Sequence, residues 1–584
     1  MTILCDHYDA DVLIVGAGPV GLTLALDLAS RGASVVVVET RGYLTLPSVK
    51  CNHVSARSME YFRRLGLAQK LRAAGLPAEY PNDVVFRTTV TGTEIARIPI
   101  PCRANRYSEK SSLDAWWPTP EPPHRINQIF LEPIMLEHAS KQPGITLLHR
   151  TQFTHFVQDA SGVVAWVRDI ETRSLKQLRA RYLVGCDGGR SQVRRQIGAK
   201  LEGDAVIQRV QSTYIRAPRL VDLSAGKPAW YCYVMNPRRC GAVIAIDGRE
   251  TWVIHNHLNA EEPDFESVDR DESIRHILGV DASFHYETIA KEDWIGRRLL
   301  ADHFRDSRVF IAGDAAHLWV PYAGYGMNAG IADAVNLAWV LCAHMQGWAD
   351  ARILDAYAAE RQPVTNQVSH FAMDHAQKVM SARKAVPADI EKDGPIGETV
   401  RAEIGRHAYQ LNVQQFCCAG LNFGYYYTDS PILVFDDETA PSYSMGDFTE
   451  STVPGCRLPH FWLRDGRSIY DALGLGYTLL RVRRAPDPAG LATAAQRVGM
   501  PLEIINVSQE NLPGIYQHTL VLCRTDQHVA WRSDTLPSDL SALIDHLRGA
   551  LPLQRQNIPW GMHRIASAAQ IGPRVGRLEA GKSI

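Results

Sequence analysis

A strand, a glycine turn, a helix and a second strand follow one another close to the start of the chain, and no other stretch limits the fold as tightly. Asp11-Val12-Leu13-Ile14-Val15 is a short apolar run of the kind that forms a buried parallel strand. Gly16, Gly18 and Gly21 then fit G-x-G-x-x-G, with Pro19 between them, and Leu22–Ala29 reads as a helix. The first glycine permits a tight turn, the second lets the backbone approach a pyrophosphate, and the third lets helix and strand pack closely. The pyrophosphate would lie at the helix N-terminus, where unpaired N–H groups and the helix dipole favour negative charge. Ala33–Val38 is a second buried strand, ending in Glu39, Thr40 and Arg41. An acid at that spacing can accept hydrogen bonds from a ribose. A chance glycine cluster would not arrive with strand, helix, strand and terminal acid in order.

The chain has 584 residues, enough for three or four domains at roughly 150 residues each. Its apolar fraction of 46% and charged fraction of 21% are those of an ordinary globular protein. A net charge of −1 without strong charge blocks recommends neither nucleic acid nor an anionic membrane as partner. No apolar run approaches the ~18 residues of a spanning helix. The first residues lack the basic region and apolar stretch of a leader, so a cytoplasmic location is expected. Eleven cysteines form neither C-x-x-C nor a metal pattern with histidines, which suits reduced thiols and no metal site.

Two more strand-to-turn segments follow. Ala180–Val184 leads into Gly185-Cys186-Asp187-Gly188-Gly189, and Arg308–Ala312 leads into Gly313-Asp314-Ala315-Ala316-His317. After the second come Pro321, the turn Gly324-Tyr325-Gly326-Met327-Asn328 and a helix through Ala332–Trp339. With Ser55–Leu67 and Arg125–Gln128, these segments resemble the class A flavoprotein aromatic monooxygenases, in the phenol and polyketide hydroxylase branch of the para-hydroxybenzoate hydroxylase-like family.

That resemblance implies FAD as cofactor, NADPH or NADH as co-substrate, and molecular oxygen, acting through a flavin C4a-hydroperoxide on a small aromatic, phenolic substrate. It implies that Gly16, Gly18, Pro19 and Gly21 hold the pyrophosphate, with Glu39, Thr40 and Arg41 at the adenosine ribose. Gly313 and Asp314 would meet the ribityl or pyrophosphate portion, and Pro321, Gly324, Gly326, Met327 and Asn328 the flavin ring. Lys50, Arg57, Gln128 and Asp187 complete the expected cofactor set. Lys50 stands where the family usually has arginine, keeping the charge but losing the planar fork. His317 reads as a structural histidine rather than a cofactor ligand, because position alone assigns it no role.

The implied fold is α/β, with a Rossmann-type FAD-binding domain in three parts (1–82, 105–199 and 298–385). An antiparallel-sheet substrate domain comes in two (83–104 and 200–297), then a helical connection (386–434) and a thioredoxin-like C-terminal domain (435–584). The last has no C-x-x-C, so a structural or dimer-related role is expected, with a homodimer as the assembly. In the substrate domain, Ile207–Arg216, Ala229–Met235, Gly241–Asp247 and Glu250–Leu258 are strand-like. Alternation puts Thr251, Val253, His255 and His257 on one face, and Trp252, Ile254 and Asn256 on the other, without saying which meets substrate. His255, His257, Tyr231, Tyr233 and Arg216 are the candidates to activate a phenol, and Pro321 is expected beside the ring. Two other activities fit the same motifs: Baeyer–Villiger or polyketide-tailoring oxygenation, and redox-silent FAD binding. The W-x-W-x-I-P signature of flavin halogenases is absent.

Overall fold

The computed structural model describes residues 7–551 except 44, 112, 115, 116 and 225. Residues 1–6, which enter the leader argument, and 552–584, the end of the expected C-terminal domain, lie outside the described residues.

Among the described residues the strands form three sheets. The first is built on Ala10–Val15, parallel to Val35–Val38 on one side and to Leu175–Gly185 on the other. Val309–Ile311 extends it beyond Leu175–Gly185, and Ile145–Leu148 beyond Val35–Val38, both in parallel. Ala10–Val15, Val35–Val38 and Val309–Ile311 are nearly all buried, as the unbroken apolar runs require of a sheet covered on both faces. The helix Pro19–Ser30 packs on the sheet through a close approach: a Cβ on Gly21 would stand 2.0 Å from the Gly16 carbonyl oxygen. Gly16 itself has φ +105°, a backbone region that a side chain would strain.

Beside it lies the helix Tyr325–Met345, buried along most of its length. No apolar run near spanning length is visible in the sequence, yet this helix with its preceding turn, Tyr322–Met345, is long and apolar enough to cross a membrane. Asp333 and Asn336 interrupt the apolar letters, and 89% of the apolar window is buried inside the fold. It packs as a core helix.

The second sheet has nine strands and is largely antiparallel, centred on Leu201–Arg216, Thr251–His257, Gly241–Ala245 and Tyr231–Val234. Val84–Arg87 and Glu94–Ile98 join it from early in the chain, and His317–Trp319 joins its opposite edge. That last strand follows the Gly313 turn directly, so the two sheets are stitched together at the turn. Trp294–Ala301 also belongs to this sheet, carrying it past the expected boundary at residue 297.

The third sheet takes Tyr477–Arg481 parallel to Leu502–Asn506 across the helix Ala489–Arg497, then Leu520–Arg524 and Val529–Ser533 antiparallel, before the helix Leu540–Leu547. This is a thioredoxin-like order. Buried charges dock it on the first sheet's helices. Arg524 binds Glu360 at 2.5 Å and Asp526 at 2.5 Å, all three closed to solvent, and Arg457 reaches Glu60 at 2.6 Å.

Arg524→Met leaves two buried carboxylates without their shared cation, and stability is expected to fall by about 3–5 kcal/mol. Calorimetry of the variant should show an earlier first transition; an unchanged profile would contradict this role for the network.

Candidate active site

The glycine turn after Val15, Asp187 after Gly185, Gly313-Asp314 after Ile311 and Glu39 after Val38 all stand at the carboxyl ends of neighbouring parallel strands. Open α/β sheets bind ligands in that crevice. Four expectations drawn from distant parts of the sequence therefore share one edge.

Two helices point uncapped N-termini into it. Gly18 precedes Pro19–Ser30 and Gly324 precedes Tyr325–Met345, and neither helix start has a side-chain cap. Their first N–H groups are thus free for an anion. A Cβ on Gly18 would meet nothing within 4 Å, so the backbone faces open space there. At the second turn Ala323 and Gly324 both lie in the left-handed region, at φ +59° and +61°. For an alanine that costs about 1–2 kcal/mol, and it turns the helix start toward the crevice.

The polar groups around the crevice divide by how fully the protein uses them. Asp314 remains open to the crevice although protein surrounds it; burial pushes its carboxyl up, against the pull of His317 and Lys50. Lys50 and Gln128 meet where the Gln128 N–H donates to the Lys50 and Cys51 carbonyls. Asp187 Oδ2 caps the helix Gln192–Gln196, while its Oδ1 is buried without a partner among the described residues. Glu39 accepts from the Ala17 N–H at 2.9 Å and the Arg41 N–H at 2.9 Å, with Thr40 bonded to the same carboxylate. Burial would raise the Glu39 carboxyl; Arg41 and those N–H groups hold it below its usual range.

Asn328 is fully used by the protein. Its Oδ1 accepts from the Ser55 N–H and the Ser58 hydroxyl, and its Nδ2 donates to the His53 and Gly324 carbonyls. Its side chain thus braces the turn, leaving backbone N–H groups to face a ligand.

The Arg57 guanidinium is buried against Gln527, Tyr61, the Asp526 carbonyl and His528, with Glu60 at 3.5 Å, and its Nε has no partner among the described residues. Its side chain is thus engaged largely by the C-terminal domain. His317 is structural: Nε2 bonds Asp333 at 2.7 Å, and Asp333 also accepts from Arg361 at 2.9 Å and the Gly313 N–H at 3.2 Å.

Strand register decides which face of the second sheet looks inward. Tyr231 pairs with Ile244, Ala242 with His255, and His255 with Ser212, so Tyr231, Tyr233, His255, His257 and Gln208 share one face. Opposite that face stand Tyr322, whose hydroxyl donates to Gln208, and Gln415, which donates to the Tyr233 hydroxyl at 3.0 Å. The other face, with Trp252 and Ile254, packs in an apolar core with Ile274 and Ile277. Pro321 is exposed at the turn between the two sheets. Arg216 is not part of this group. It sits exposed at the strand's far end, paired with Glu287 at 3.0 Å and Glu250 at 3.5 Å.

The Arg125–Gln128 segment is a motif, but the partners of Arg125 are not legible in it. Arg125 stacks 4.7 Å from the Trp230 ring and bonds the buried His53. Gln208, Tyr322, Asp333, Arg361 and Arg383 are likewise visible only once distant segments meet. Among the described residues no group of three or more His, Cys, Asp or Glu side chains could hold a metal.

The family model described as an FAD binding domain matches residues 9–372, and one described as the C-terminal region of aromatic-ring hydroxylases matches 451–551. An FAD-dependent monooxygenase of Penicillium oxalicum is 32% identical over 82% of this chain and 94% of its own length. Phenol 2-monooxygenase of a Pseudomonas species is 28% identical over 93% of each chain. The rebeccamycin biosynthetic enzyme RebC, solved with reduced flavin, superposes with a TM-score of 0.84 at 32% identity, over 93% of this chain and 99% of that one.

The geometry fits FAD: an open Gly18 backbone, two uncapped helix starts and an unpaired Asp187 oxygen at one crevice. Gly18→Val is expected to fold, because Gly18 has ordinary extended angles, but to be purified with little FAD. Gly21→Val should not fold, since its Cβ would overlap the Gly16 carbonyl. Flavin absorbance and melting temperature together separate the two, and a yellow, stable Gly18→Val would refute the cradle.

A second expectation concerns pH. Burial pushes His255 and His375 from 6.5 down to about 4, and His124 and His528 down to about 3. The unfolded chain takes these protons first, so the stability they contribute is complete above about 6.5 and is lost as pH falls toward 4 and below. A melting temperature that stays level from pH 7 to pH 4 would contradict these neutral histidines.

Proposed function

The chain belongs to the FAD-dependent aromatic-ring monooxygenases, and from that premise we propose that it hydroxylates a phenolic substrate, consuming NADPH or NADH and molecular oxygen. The observation that carries this reading is that one short stretch, Gly313–Gly324, holds the Asp314 turn, a strand of the second sheet and Tyr322, whose hydroxyl bonds Gln208 on the Tyr231–His257 face, and ends at the start of the core helix. It is supported by the name of the phenol 2-monooxygenase to which the chain is similar.

In this reading Gly16, Gly18 and Gly21 hold the FAD pyrophosphate, Glu39 the adenosine ribose and Asp314 the ribityl chain. Lys50 and Gln128 line the same opening. Bound FAD, reduced by the nicotinamide co-substrate, supplies the oxygen-activating chemistry. The residues supply orientation, electrostatics and exclusion of water. N–H groups of the Tyr325–Asn328 turn stand at the positive end of a buried helix and would favour negative charge on a flavin held there. Pro321 and Tyr322 follow the second sheet's last strand and would border that flavin on the sheet side. Tyr231 and Tyr233 give the substrate an aromatic wall; their phenols are held protonated by burial.

A phenol of pKa about 10 attacks far better as phenolate, so its hydroxyl must meet groups that favour the anion. The neutral His255 and the donors around it are the groups available on this face.

The purified yellow protein is expected to oxidise NADPH or NADH faster with a fitting phenol or polycyclic phenol, to release little hydrogen peroxide, and to yield a ring-hydroxylated product heavier by one oxygen. A lactone product would establish Baeyer–Villiger oxygenation instead. Bound FAD with no stimulation by any aromatic would favour a redox-silent protein.

A further inference from the structure

Resting on that reading, the geometry points to a carboxylate on the aromatic substrate, held by Arg383 and His257. Both residues line a cleft of about 450 Å³ between the second sheet and the end of the long helix Asp355–Lys384. Arg383 is in the last turn of that helix. Its Nη1 and Nη2 are closed to solvent and have no hydrogen-bond partner among the described residues. The phenols of Tyr322, Tyr233 and Tyr231 and the thiol of Cys240 are its strongest electrostatic neighbours, and no carboxylate bonds to it.

Its neighbours on the same cleft are treated differently. Arg238 is neutralised by Glu391 through two bonds of 2.6 Å, and Arg239 by Glu262 through bonds of 3.0 and 2.9 Å. A buried guanidinium is always charged and is costly without a partner, so an anion bound where Arg383 points would be stabilised.

His257 adds a third donor. Gln208 offers its carbonyl oxygen to the Tyr322 hydroxyl and its NH₂ to His257 Nδ1, at 2.9 Å. With Nδ1 accepting, the ring proton sits on Nε2, and Nε2 is buried with no partner among the described residues. Three donors thus face one cleft, and none of the acceptors that line it, Glu261 among them, bonds to them. A carboxylate has the two oxygens and the planar shape that a guanidinium fork matches. Tyr231 and Tyr233 lie beside Arg383, so an acid group there leaves its ring on the aromatic wall, on the side of the Pro321 turn.

The test uses FAD-loaded enzyme and matched pairs of one-, two- and three-ring hydroxyaromatic carboxylic acids and their carboxamides. Binding is followed by the change in flavin absorbance, and turnover by NAD(P)H oxidation. The acid of a fitting pair is expected to bind at least about tenfold more tightly than its amide, the gain of a charge-assisted pair. Arg383→Met should bring that ratio to about one, and Arg383→Lys should retain part of it. Since Arg383 makes no side-chain bond to the protein, substrate-free Arg383→Met should melt at or above the wild-type temperature; a purely structural arginine would lower it. Equal binding of acid and amide by wild type, or an acid preference that survives in Arg383→Met, overturns the carboxylate and leaves the hydroxylase standing. No response to any aromatic overturns both.

Discussion

The buried carboxylate of Asp333 is the constraint on which the rest of the site depends. It stands inside the core helix, closed to solvent, where an unpaired charge would be prohibitive. Burial would raise it, but His317 and Arg361 hold it below the usual range, so it stays ionised. Its third bond, from the Gly313 N–H, fixes the turn that presents Asp314. One anion therefore ties together a strand end of the first sheet, the first residue of a strand in the second, and the long helix that carries Arg361. That helix carries Arg383 in its last turn, so the floor of the cofactor crevice and the far wall of the substrate cleft share an anchor.

A second set of buried charges performs the same service for the C-terminal domain. Arg57 and Glu60, on the helix Ala56–Arg64, meet Asp526, Gln527 and Arg457 from the other end of the chain. Glu360 closes the set through Arg524. Such networks stabilise little relative to an apolar core, but they tolerate no missing member. The C-terminal domain, lacking a dithiol, acts here as a clamp on the helix that leads away from the cofactor crevice.

How far the sequence is legible follows from how local each signal is. The Gly16–Gly21 turn, Glu39 and Asp314 are readable because each motif lies within one strand-turn-helix unit. The inward face of the second sheet is not, because alternation has two phases and only cross-strand register selects one. Arg57 reads as a cofactor ligand by its place in a motif, yet its partners lie some 470 residues away in sequence. Arg383 gives no signal at all: a basic residue in a helix's last turn is an ordinary complement to the helix dipole. Only the fold reveals that this one turns inward and finds no acid.

Unpaired donors gather at two places in the site, although the chain as a whole is nearly neutral. Two helix starts face the crevice, and Arg383 and His257 face the cleft beyond it. This arrangement changes what activating a phenol requires. Hydrogen bonding to the charged form lowers a pKa without any base, and a nearby cation does the same. A phenol placed among unpaired donors with a guanidinium nearby is acidified by its surroundings. The tautomer set by Gln208 makes His257 a donor, and a donor cannot remove the proton. The sheet face therefore offers donors rather than a strong base: its histidines are kept neutral by burial and by Arg383.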